Sequence, residues 1–190
     1  MKFIKDFHLF ESSESIPEYV NISDFLNSIN ATNKLKDSFV KWWNENRSRI
    51  NILYFPFNTS MPIFGCVFSE NSVAINSKMS LQTEFFLYIL LHESKHADQE
   101  YEGRLSPYFD TVVENNFKEF SLAYYELELE ANVYAEGVLI ELGLDHFVKS
   151  NSQMLNQNLS ATHSVFQHMK KDIERLNPEN FQELIRKTIL

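Results

Sequence analysis

The strongest chemical signal in the chain is the run Leu90-Leu91-His92-Glu93-Ser94-Lys95-His96. Two histidines four residues apart stack on one face of a helix, so both imidazoles can reach a single metal ion. Glu93 projects about 100° further round the helix, beside such a metal rather than onto it. A carboxylate in that position can take a proton from a water activated by the metal, the role of a general base. The apolar run from Phe85 to Leu91 predicts that this helix is buried. Buried histidines and a buried glutamate need partners, and a metal supplies them.

A catalytic zinc takes three protein ligands and leaves a fourth position open. The segment from Tyr125 to Ala135 offers three carboxylates, Glu126, Glu128 and Glu130. Glu128, Ala131, Asn132 and Ala135 fall at i, i+3, i+4 and i+7 and share one helical face, where two alanines permit close approach to the histidine helix. Glu128 is therefore the expected ligand. Asn132 is placed to accept a hydrogen bond from a ligating imidazole and so fix its tautomer. Glu126 and Glu130 lack that small-residue face and read as a solvated acidic surface.

The pair of motifs, His92-Glu93-x-x-His96 and Glu128-x-x-Ala131-Asn132-x-x-Ala135, resembles the gluzincin type of zinc metallopeptidase, and two branches come closest, the ImmA/IrrE-type peptidases and those whose motif reads Glu-x-x-Ala-Asp. The lead-in from Ser72 to Asn76 and then Leu81 to Leu91 is similar to the strand and active helix of the ImmA/IrrE type. The resemblance covers about residues 63–137. It implies a zincin-like domain holding one Zn2+ per chain through His92, His96 and Glu128, with Glu93 as catalytic base and Asn132 orienting a ligand. It also implies a protein or peptide as substrate. Lys95 and Asp98 depart from the pattern, standing where uncharged and apolar residues are usual, and Asn132 replaces the Asp of one of those branches. A non-catalytic binding or regulatory protein built on the same frame is the alternative.

The elements that must hold these residues can be read from periodicity. The sequence predicts a helix starting near Ser15-Ile16-Pro17 and continuing through Ile22, Phe25, Leu26 and Ile29. A second is predicted over about 33–49, with Leu35, Phe39, Trp42 and Trp43 as its buried stripe. Short β-type runs follow at 51–55, 63–68 and 72–76, the last two joined by Ser69-Glu70-Asn71 as a hairpin loop. Helices are then expected at about 81–98, 111–122, 124–142, 145–158, 160–176 and 178–189, punctuated by Gly143 and Pro178. The fold class is α+β: a mostly helical single domain over 1–190 with a small antiparallel sheet.

The 190 residues fit one domain, and about a third are Leu, Ile, Val or Phe, enough for a sizeable core. A lone cysteine, Cys66, excludes a disulfide framework and a cysteine-rich zinc finger; within its strand it reads as core. Met1 to Phe10 lacks the apolar centre of a signal peptide, and no apolar run is long enough to span a bilayer, so a cytoplasmic location is expected. The net charge of −9 is concentrated in residues 61–145, which repels phosphate backbones and argues against nucleic-acid binding. Candidate donors to the oxyanion of a peptide-hydrolysis transition state are Tyr101, Tyr124, Tyr125, His163 and His168, while His8 and His146 read as ordinary histidines. An extended substrate is expected to pair with a sheet edge, either Ile63–Phe68 or Val73–Asn76.

Overall fold

The computed structural model describes residues 19–56, 64–105 and 117–151, with side chains of 117–125 left aside. The predicted helices at 160–176 and 178–189, the first ten residues, and the His163 and His168 candidates lie outside the described residues. Within them the chain is α+β, as its periodicity predicts.

The start signal at Ser15-Ile16-Pro17 lies outside the described residues, and within them the first helix follows a strand. Tyr19–Val20 form a short strand, β1, and helix α1 runs Ile22–Ser28. Asn21 starts it by accepting the Asp24 N–H at 2.9 Å on its side-chain oxygen, an N-cap that satisfies one orphan donor. Asn30 turns the chain in the left-handed region (φ 56°), and Thr32 caps helix α2, Asn33–Asn46. Phe39 and Trp43 are its buried stripe, stacked with ring centroids 6.0 Å apart. Helix α2 stops at Asn46 rather than at Arg49, which frees Arg47 and Arg49 to reach across the fold.

The sheet comprises β1, β2 (Asn51–Phe55), β3 (Gly65–Ser69) and β4 (Ser72–Asn76), in the order β1-β2-β4-β3. The expectation of an antiparallel sheet is corrected here, because β2 and β4 are parallel and the sheet is mixed. The chain leaves β2, runs the outer strand β3 and returns through a tight turn at Glu70-Asn71 to lay β4 between them. All five residues of β4 are buried, the pattern of a strand covered on both faces. That position also removes β4 as a candidate edge for substrate, leaving β3.

Helix α3 (Thr83–Tyr101) lies on this sheet, with Tyr54 of β2 set edge-on to Phe86. Phe86 through Leu91 are buried without a break, since one side of the helix meets the sheet and another meets helix α4 (Phe117–Glu141). Helix α4 is continuous over Phe117–Glu141, where two helices with a break near Ala123 are expected from the sequence; no glycine or proline interrupts the run there. It ends in a Schellman motif: Leu144 N–H donates to Leu139 O at 2.8 Å and Gly143 N–H to Ile140 O at 3.0 Å, with Gly143 at φ 79°. A further helix, α5, starts at 145 and is described to 151, with Phe147 edge-on to Phe85 of α3.

Two of the departures from the peptidase pattern, Lys95 and Asp98, tie α3 to its neighbours. Asp98 receives Arg47 at 2.7 Å and also binds Arg49, joining α3 to the end of α2. Lys95 pairs with Glu130 of α4 at 2.9 Å. Arg47 is only 12 % exposed, stacks 4.5 Å over the Tyr134 ring, and its Nε has no hydrogen-bond partner among the described residues. Asp98→Ala strands this guanidinium in a poorly hydrated site. It is expected to lower folding stability by about 2–3 kcal/mol, read as a shift in the urea midpoint at unchanged slope.

Candidate metal centre

Helices α3 and α4 bring His92, His96 and Glu128 together. The Nε2 atoms of His92 and His96 are 3.0 Å apart, and the Glu128 carboxylate lies 3.4 Å from the first and 3.2 Å from the second. Among the described residues this is the one group of three side chains whose ligand atoms converge closely enough to hold a metal ion. Its geometry follows from local sequence. The i, i+4 spacing sets the two rings on one face, their centroids 4.6 Å apart. Fully buried Ala131 and Ala135 let α4 come close to α3, and Glu128 stands one turn before Ala131 on that face.

The outer nitrogens of both rings are engaged. Asn132 Oδ1 lies 2.9 Å from His92 Nδ1 and accepts from the Tyr88 hydroxyl as well. Gln99 Oε1 lies 2.6 Å from His96 Nδ1. Two amide oxygens facing Nδ1 require that each Nδ1 carries the proton, so each Nε2 presents a lone pair inward. Two lone pairs and a carboxylate then face one another, an arrangement made only of acceptors. It is stable when a cation or a proton sits between them. For zinc, ligand distances of about 2.0–2.1 Å in a tetrahedron put the ligand atoms about 3.3 Å apart. The separation of the two nitrogens, and the distance from each to the carboxylate oxygen that faces it (Oε2 for His92, Oε1 for His96), are close to that value, and the residues present fit the ion.

The charges respond to the same crowding. In the metal-free chain, where a proton takes the place of the cation, burial alone would raise the Glu128 carboxyl, but hydrogen bonds from the His92 and His96 rings outweigh it and hold the group well below the usual range. Burial would lower His96, yet the Glu128 hydrogen bond and charge, with Glu93 and Gln99, carry it up to about 9. Glu93 is half-buried, and burial raises its carboxyl above the ordinary value against the opposing pull of His92 and His96. A carboxylate moved in that direction is a better match for proton transfer near neutral pH. Next to it, β3 passes so closely that a Cβ at Gly65 would fall 2.9 Å from Glu93 Cγ and 2.9 Å from Ile89 Cγ2. Cys66 follows on the same strand, its thiol pushed up to about 12 by burial and then by the Glu93 charge, which suits packing rather than reaction.

Of the remaining candidates, Tyr101 is exposed at the end of α3 under the Arg49 guanidinium, 4.8 Å from its ring centre. The side chains of Tyr124 and Tyr125 lie outside the described residues, and His146 is exposed. Glu126 faces solvent, whereas Glu130 binds Lys95, Arg104 and Gln99 and is held at about 2, chiefly by the Arg104 hydrogen bond. Sequence reasoning missed Tyr88 and Gln99. Both carried a signal: Tyr88 stands four residues before His92 and Gln99 three after His96, positions that stack on the ligand face.

No protein-family model matches the chain, and searches of curated proteins and of solved structures give no match either. No helix among the described residues is long and apolar enough to cross a membrane.

Proposed function

We propose that this chain is a zinc-dependent metallopeptidase that hydrolyses peptide bonds of an intracellular protein or peptide. The observation that carries the reading is the inward-facing set of acceptors, His92, His96 and Glu128, whose ligand atoms converge closely enough to hold one ion, with Glu93 beside it. The resemblance of both motifs to gluzincin peptidases adds to it.

His92, His96 and Glu128 would hold the zinc, which when bound supplies Lewis-acid polarisation of the scissile carbonyl and a more acidic water. Glu93 takes a proton from the attacking water and delivers it to the departing amine. Water adds to the carbonyl carbon, the C–N bond breaks, and a carboxylate and an amine leave. Asn132, held by Tyr88, keeps His92 in one orientation throughout. Strand β3 is the outer strand next to α3, with no strand on its far side among the described residues, and is the place for an extended substrate to pair.

The reading is tested by elemental analysis of protein dialysed without chelator, followed by hydrolysis of an unstructured protein such as casein. About one zinc per chain is expected, with cleavage abolished by chelator and restored by zinc. No bound metal after zinc is added back overturns it. Gly65→Ala probes the contact between strand and base. The added methyl meets Glu93 and Ile89 equally closely and forces the helix face and the strand apart, and turnover is expected to fall by up to about a hundred-fold with zinc content unchanged, because a misplacement near 1 Å costs that much.

A further inference from the structure

Gln99 is fully buried and saturated on every side. Its Oε1 accepts from His96 Nδ1 at 2.6 Å, and its Nε2 donates to Leu127 O at 3.0 Å and to Glu130 Oε2 at 3.1 Å. Both Nε2 hydrogens are therefore committed to α4. Flipping the amide would bring an oxygen against the Leu127 carbonyl and the Glu130 carboxylate, and an NH2 against His96 Nδ1–H, so one orientation alone is compatible with its neighbours. Glu130 is fixed in turn from the solvent side, by Lys95 at 2.9 Å and Arg104 at 2.7 Å. The chain of contacts runs from two surface cations through a carboxylate and an amide to a metal ligand.

We infer that Gln99 is the positioning residue for His96 as a metal ligand, and that Glu130 anchors it, so that the Lys95–Glu130–Arg104 cluster on the surface helps to set metal affinity. The inference rests on the metal reading of the site and deepens it. Gln99 holds His96 with its proton on Nδ1 and its lone pair on Nε2 aimed at Glu128. Without the amide the ring is free to rotate or change tautomer, and part of the binding free energy goes into restoring it. Partners of this kind contribute about ten- to a hundred-fold to metal affinity.

The test is a zinc competition titration against a chromophoric chelator on the full chain, for wild type, Gln99→Leu, Glu130→Leu and Glu130→Gln. Gln99→Leu is expected to weaken the zinc Kd by about ten- to a hundred-fold. Glu130→Leu removes the acceptor for Nε2 and is expected to weaken it several-fold, whereas Glu130→Gln keeps an acceptor oxygen and stays within about twofold of wild type. The zinc-loaded wild type should also show a downfield imidazole N–H proton resonance from His96, protected from solvent exchange, that Gln99→Leu loses. A purely structural role for Gln99 would not remove that resonance while the site still fills. The Glu130 pair sits on a half-exposed side chain, so it reports even where Gln99→Leu fails to fold. A zinc Kd within twofold of wild type in Gln99→Leu, or equal Kd values in Glu130→Leu and Glu130→Gln, overturns the inference. Wild-type protein that binds no zinc overturns the metal reading itself.

Discussion

Glu93→Gln is expected to reduce peptide hydrolysis by between about a hundred- and ten-thousand-fold while zinc stays bound at one per chain. The substitution keeps the shape of the side chain, so the close approach of Gly65 persists. It removes the carboxylate beside His92, His96 and Glu128 that burial has pushed toward a higher pKa. Glu93 also ligates nothing in the arrangement of the three metal-directed side chains, so affinity for the ion has no reason to fall. The measurement is kcat on zinc-loaded protein beside metal content of the same sample. Turnover that survives the change moves the base elsewhere. Zinc binding without turnover in the wild type leaves the alternative, a metal-binding regulatory protein on a peptidase frame.

The second large effect belongs to Glu128→Ala. Of the three inward-facing groups it is the one that crosses from α4 to α3, at 3.4 Å from His92 and 3.2 Å from His96. Removing it leaves two imidazoles four residues apart on one helix, a bidentate site with no negative charge. Zinc affinity is expected to fall by more than about a hundred-fold, beyond the loss from removing a supporting hydrogen bond. Equilibrium dialysis against a metal buffer measures it, with circular dichroism of the metal-free proteins as the control for folding. Near-equal affinity in the variant would remove Glu128 from the ligand set.

Much of this site was legible before any coordinates. The two histidines and Glu93 follow from helical spacing alone, and the choice of Glu128 over Glu126 and Glu130 follows from the alanines that share its face. Those are local properties of a helix, and residues one turn apart carry them. The parallel pairing of β2 with β4 was not legible, because Ser72 to Asn76 has the same composition whether its partner runs with it or against it. The continuity of α4 was missed for a related reason, since weak periodicity near Ala123 imitates a break that the backbone does not make. Glu130 looked like a solvated acid because its partners, Gln99, Lys95 and Arg104, come from a different stretch of chain. Spacing within α4 holds no trace of them.

The placement of β4 between β2 and β3 also bears on the order in which the chain assembles. The β3–β4 hairpin closes through a two-residue turn, the fastest pairing available in this sheet. The parallel ladder from Asn51 to Ser72 needs a longer loop closed, and the contact between His92 and Asn132 spans 40 residues. Loop entropy delays such contacts, so the junction of α3 with α4 belongs to the late side of the folding barrier. A cation held across that junction grips the native state far more than the transition state. It acts as a brake on unfolding, lengthening the lifetime of the folded chain while the refolding rate stays as it was.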